Sequence, residues 1–92
     1  MSEKIFRKML ARDENRNLQI DKIRIAPNAK IAAHAHPDFE WIYVLRGEIS
    51  DDRGVFRAGD FFVNEKNSKH APRVGADGCE ILCVWCGKIE EI

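Results

Sequence analysis

Turn signals recur every several residues along most of this chain. The segments between them are short and rich in β-branched and aromatic residues, so helical periodicity is nearly absent. Pro27-Asn28, Asp51-Asp52-Arg53-Gly54, Ala58-Gly59-Asp60 and Gly75 to Gly78 each read as a turn, and Glu65 to Ser68 reads as a polar loop. Between them lie candidate strands. Leu18, Ile20, Ile23 and Ile25 stand in partial alternation; Lys30 to His36 and Trp41 to Leu45 follow, the latter broken at Gly47 and resumed over Glu48 to Ser50. Val55-Phe56, Phe61 to Val63 and His70 to Val74 come next. Cys79 to Cys86 is the strongest strand and Lys88 to Ile92 a last one. Many short strands with frequent turns predict an all-β sandwich or barrel. Residues 1–17 are the most polar stretch, with Ser2 to Met9 a short helix or an edge strand and Asp13 to Asn17 a loop.

Ninety-two residues are one domain's worth of chain. The 15 Lys and Arg balance the 15 Asp and Glu, leaving a formal net charge of zero. This argues against nucleic acid as a partner and against an anionic membrane surface, while self-association stays open. No apolar run approaches the roughly 20 residues that span a bilayer. The N-terminal stretch lacks the apolar core of a signal peptide, so the expected address is cytoplasmic. Cys79, Cys83 and Cys86, odd in number and clustered, read as reduced thiols.

The informative segment is Asn28 to Gly47. His34 and His36 are two apart, and on a strand such residues share a face, so both imidazoles can reach one ion. Pro37-Asp38 bends the chain and Glu40 returns as a carboxylate just before an apolar strand. His70 follows a turn and a polar loop, where a neighbouring strand can supply it as a fourth ligand. A lone histidine is usually an ordinary hydrogen-bonded residue; the spacing and the nearby carboxylate favour ligation here. Three imidazoles and one carboxylate suit Zn, Fe, Mn or Ni, and ligand type alone also admits Cu.

These residues resemble the two sequence motifs of the cupin superfamily. The first runs Gly, five residues, His-x-His, three or four residues, Glu, six residues, Gly; Asn28, His34, His36, Glu40 and Gly47 occupy its slots, with Asn in place of the first Gly. Asn is the residue that best replaces Gly at positive φ. In the second motif Gly59 and His70 fall in register, with Glu65, Asn67 and Val74 standing for its Pro, second Gly and Asn. The resemblance covers roughly Ile25 to Trp85. It implies a cupin-type double-stranded β-helix, or jelly-roll barrel, of two antiparallel sheets, with a metal ion held by His34, His36, Glu40 and His70. On this reading residues 1–92 are one cupin domain, with 1–17 an N-terminal arm and 25–85 the metal-binding barrel core. Residues 50–62, 68–72 and 77–82 resemble most the cupin domain of zinc-dependent anti-sigma factors and of small dioxygenase-like proteins. Those anti-sigma factors also carry a helical zinc domain that nothing before Ile25 matches, so an anti-sigma role is not implied for this chain alone. The resemblance also implies a homodimer, since cupins commonly pair sheets and a barrel this small gains by burying more area.

Other residues have blander readings. Cys83 and Cys86 have the spacing of a zinc knuckle or redox pair, but a regular strand points them to opposite faces, which favours apolar thiols packed in a sheet. Either Cys79, Ile81, Cys83 and Trp85 or Glu80, Leu82, Val84 and Cys86 look inward; the pattern leaves both open. Trp41, Tyr43, Phe61, Phe62 and Trp85 read as core or dimer contacts, some of them lining the pocket. Tyr43, the only tyrosine, is a candidate polar group near the ion, with Asp38 and Arg46 behind it. Three functions compete: a metal-dependent enzyme on a small organic molecule, with dioxygenase chemistry foremost; a metal-dependent sensor or ligand-binding module; and a purely structural metal site.

Overall fold

The computed structural model describes residues 4–29, 31, 34–35, 38–86 and 90–91, with residues 34, 35, 70, 90 and 91 as backbone only. Among the described residues nine strands follow in order: β1 Ile5–Asp13, β2 Leu18–Ile25, β3 His34–Ala35, β4 Glu40–Asp51, β5 Gly54–Arg57, β6 Phe61–Asn64, β7 Lys69–His70, β8 Arg73–Cys86 and β9 Glu90–Glu91. All pairings among them are antiparallel. Among the described residues there is no helix, and hence none long and apolar enough to cross a membrane. The N-terminal segment takes the edge-strand alternative, since β1 pairs along β2. The strand expected over Lys30 to His36 is described only at His34–Ala35, and its remainder, apart from Ile31, lies outside the described residues.

The strands form two antiparallel sheets. One runs β1-β2-β8-β4-β5, with β6 also on β4; the other runs β7-β3-β9. β6 pairs Glu40 to Tyr43 and β5 pairs Glu48 to Asp51, so the two cover opposite halves of the long β4. The turn between them bridges the gap: Asp60 O accepts from Val44 N and Gly59 N donates to Val44 O, each at 2.9 Å. The break expected at Gly47 is an irregularity within one continuous strand. β4 absorbs this glycine at φ 74°, because its α-carbon lies against the β8 backbone; a Cβ there would sit 2.1 Å from Gly78 O.

The turn expected over Gly75 to Gly78 is corrected. The chain does not reverse there, and β8 runs through from Arg73 to Cys86. The irregularity is a bulge, in which Val74 to Cys79 on β8 faces Gly47 to Ile49 on β4. Gly78, at φ 71°, lets the strand kink and rejoin the ladder.

Which face looks inward is settled by register. Asp21, Ile23 and Ile25 on β2, Cys79, Ile81, Cys83 and Trp85 on β8, and Glu40, Ile42, Val44 and Ile49 on β4 are all buried. The partner rows Ile25–Cys79, Ile23–Ile81–Val44 and Asp21–Cys83–Ile42 carry this core across three strands. Phe56 and Phe62, stacked at 3.9 Å between centroids, pack against it from β5 and β6. The β2–β8 register is unbroken, so Cys83 and Cys86 do face opposite ways. Cys83 is buried and Cys86 only partly so, as the packed-thiol reading requires.

Candidate functional site

The interior changes character along its length. At the Ile25–Cys79 end it is aliphatic. At the other end the row Glu40–Trp85–Gln19 and the adjacent row Asp21–Cys83–Ile42 place two carboxylates, an amide, a thiol and an indole together. Asp21 is fully buried, and Glu40 and Asn64 are nearly so. Burying ionisable groups costs free energy unless each is hydrogen-bonded, and folds concentrate that cost where function needs it.

Here the groups are bonded. Glu40 Oε1 accepts from Asn64 Nδ2 at 2.8 Å, and its Oε2 accepts from Cys83 Sγ at 2.9 Å. Asn64 is the β6 register partner of Glu40, which is why the two side chains share a face. Asp21 accepts from Trp85 Nε1 at 2.8 Å and Gln19 Nε2 at 2.9 Å, with Arg7 Nε at 3.7 Å from the edge strand. Burial, and next the charge and hydrogen bond of Glu40, push the Cys83 thiol far above its ordinary range, so it remains a protonated donor.

The four candidate ligands fare differently. His34 on β3 and His70 on β7, distant in sequence, are direct register partners, so the fold sets their backbones side by side. Glu40 begins β4 and is 4% exposed. His36 lies outside the described residues, as do the side chains of His34 and His70. Among the described residues no group of three or more His, Cys, Asp or Glu side chains is placed to hold a metal ion. The buried Glu40 carboxylate, its two oxygens held by neutral donors, has the chemistry of a hard anionic ligand and fits a divalent ion.

Tyr43 is corrected as a pocket residue. Alternation along β4 puts it on the face opposite Glu40, 40% exposed, beside its register partners Phe61 and Leu82. Arg46 is exposed, and Asp38 is half-buried and accepts from Phe39 N at 2.8 Å. Asp21 and Asn64 were the residues missed. The signal for Asp21 was present, because the strand phase that buries Ile23 and Ile25 also buries Asp21. Asn64 had no such signal; only pairing with β4 sets it against Glu40. Two surface clefts of about 370 and 410 Å³ are lined, respectively, by residues that include Gly47 and Gly78 and by residues that include Asn28 and Val74.

The turns implied by the motif resemblance survive substitution. Asn28 and Asn67, standing where the motifs have Gly, adopt φ 60° and 66°. The turn before His70 therefore keeps its left-handed residue.

Two antiparallel sheets enclosing such an interior define a cupin. The chain belongs to the ChrR cupin-like domain family, whose model matches residues 1–89. Among solved structures it is similar to an RmlC-like cupin protein from Ralstonia eutropha JMP134, at 16% identity and a TM-score of 0.90, covering 99% of this chain and 61% of that one. It is also similar to a chain in the crystal structure of Rhodobacter sphaeroides SigE in complex with the anti-sigma ChrR, at 20% identity and a TM-score of 0.83, covering 92% and 46%. A third is an acetylacetone dioxygenase from Acinetobacter johnsonii, at 12% identity and a TM-score of 0.86, covering 96% and 63%. At these identities the likeness is one of fold, and the chain spans less than two thirds of each. No match was found among curated proteins.

Proposed function

We propose that this protein binds one divalent metal ion, Zn, Fe, Mn or Ni, through His34, His36, Glu40 and His70, and uses it to act on or sense a small organic molecule. The observation that carries the reading is the register pairing of His34 with His70, which joins the two motif halves across adjacent strands. The buried, doubly bonded Glu40 supports it. When bound, such an ion supplies Lewis acidity toward an oxygen-bearing ligand. The chain's own part is to orient the buried Glu40 carboxylate, with Asn64 and Cys83 as donors.

Related folds serve a dioxygenase and a complex with a sigma factor, so the fold alone does not choose a reaction. Oxygenase chemistry is the first enzymatic assignment to test, and a ligand-binding or regulatory role is its alternative. Elemental analysis of protein purified without added metal should give about one ion per chain. His36→Ala should lose it with the β-sheet circular dichroism retained; an equal metal content in that variant overturns the site. Iron with substrate-dependent O2 uptake selects the oxygenase. Tightly held zinc with no uptake selects binding or structure, and unfolding of the metal-free protein selects structure.

The same reading includes a homodimer. The outer face of the larger sheet carries an apolar register row, Ala11–Ile20–Val84–Trp41–Val63, next to Leu82–Tyr43–Phe61. Phe61 is 63% exposed. A second copy covering this face would remove that surface from water.

A further inference from the structure

We infer that Arg53 and Asn64 form a positioning relay that sets the Glu40 carboxylate for metal binding; the inference rests on the metal-binding reading above. Arg53 stands in the tight turn joining β4 to β5, in sequence between the His34–His36 pair and His70 and outside both motifs. Its Nη2 donates to Asn64 Oδ1 at 2.7 Å and its Nη1 to Val63 O at 2.9 Å. Asp51, its carboxylate 4% exposed, anchors the guanidinium from the other side through Nε at 3.2 Å to each carboxylate oxygen and Nη2 at 2.6 Å. The guanidinium also lies over Phe56 and Phe62, 5.5 and 5.4 Å from their ring centroids.

This arrangement dictates which way the Asn64 amide points. With a cation on one side and a carboxylate on the other, the amide oxygen must face Arg53 and the NH2 must face Glu40 Oε1. The flipped amide would set N–H against guanidinium and carbonyl oxygen against carboxylate. Asn64 is only 2% exposed, so water cannot relieve that conflict. The charge at the surface turn therefore fixes a donor in the interior, and successive hydrogen bonds polarise one another in the same sense. Cys83 holds the second Glu40 oxygen, which completes the orientation of the carboxylate plane. Partners of this kind typically change metal affinity by about 10–100-fold when removed.

The test uses the full chain and Zn2+ in chelator competition, with Co2+ absorption as a spectroscopic reading of the ligand field. Asn64→Leu removes the donor at nearly constant volume. Arg53→Met leaves Asn64 in place and releases its amide. Cys83→Ala and Cys83→Ser separate loss of the donor from loss of the thiol. The expected result is a Zn2+ affinity about 10–100-fold weaker in Asn64→Leu and Arg53→Met, with a shifted Co2+ spectrum and a folded apo protein by circular dichroism, and closer to wild type in Cys83→Ser than in Cys83→Ala. If Asn64→Leu does not fold, Arg53→Met decides. Wild-type affinity and spectrum in Arg53→Met, alongside lost binding in Glu40→Gln, overturn the relay and leave the metal site standing. Absence of Zn2+ binding by the wild type, or undiminished binding in Glu40→Gln, overturns the metal reading and the relay with it.

Discussion

Trp85 Nε1 donates to Asp21 Oδ2 across 2.8 Å, tying β8 to β2 inside the sheet through an indole and a fully buried carboxylate. Trp85→Phe keeps most of the ring volume and deletes the donor. Asp21 would retain Gln19 and the more distant Arg7. The expected loss is about 1.5–3 kcal/mol, the range for hydrogen bonds to charged groups, read from urea denaturation with an unchanged m-value. No loss would mean that the indole contributes packing alone.

Cys79 is fully buried, and burial pushes its thiol from 9.0 up to about 11. Because the folded value is raised, folding favours the protonated thiol. Its contribution is fully present below pH 9.0 and lost as the pH rises through about 11. Cys79→Ala should flatten the fall in stability across that window relative to wild type. An identical pH profile in the variant removes Cys79 as the source.

The same burial predicts an order of thiol reactivity. Cys86, partly exposed, should be alkylated by iodoacetamide in the native protein at pH 8, while Cys79 and Cys83 react only on unfolding. Mass spectrometry of the digested protein counts the labels. Early labelling of Cys83 would contradict its position beside Glu40.

Gly47 and Gly59 both have positive φ but face different surroundings. Gly59→Ala meets no atom within 4 Å and should cost about 1–2 kcal/mol for the left-handed backbone. Gly47→Ala places a Cβ 2.1 Å from Gly78 O, a backbone atom that cannot step aside, and should cost clearly more or prevent folding. Thermal unfolding of the two variants checks the ranking.

The outer sheet face makes the assembly testable. Tyr43→Lys with Phe61→Lys puts like charges on the register pair at the middle of the apolar surface. A homodimer through this face should become monomeric in sedimentation equilibrium, with the barrel intact. A dimer that persists uses another surface.

The candidate ligands were drawn from two patterns in the sequence. The two-residue step from His34 to His36, and the motif slots shared by Glu40 and His70, named the candidates from spacing and resemblance alone. Asn28 was legible for a simpler reason: few other side chains tolerate the left-handed backbone found there. Tyr43 was misread because closeness to Glu40 in sequence says nothing about face, and odd spacing along a strand sends the two apart. Gly75 to Gly78 was misread because glycine serves a bulge as readily as a turn.

Residue order by itself determined that the chain is all-β and which residues were candidates for an ion. These are consequences of local sterics and of periodicity, which neighbouring residues settle among themselves. Tertiary structure alone decided the inward face of β8, the pairing of His34 with His70, and the burial of Asn64 against Glu40. Those follow from which strands lie side by side and in what register. That outcome depends on the free energy of burying the whole core at once, and no single segment carries it.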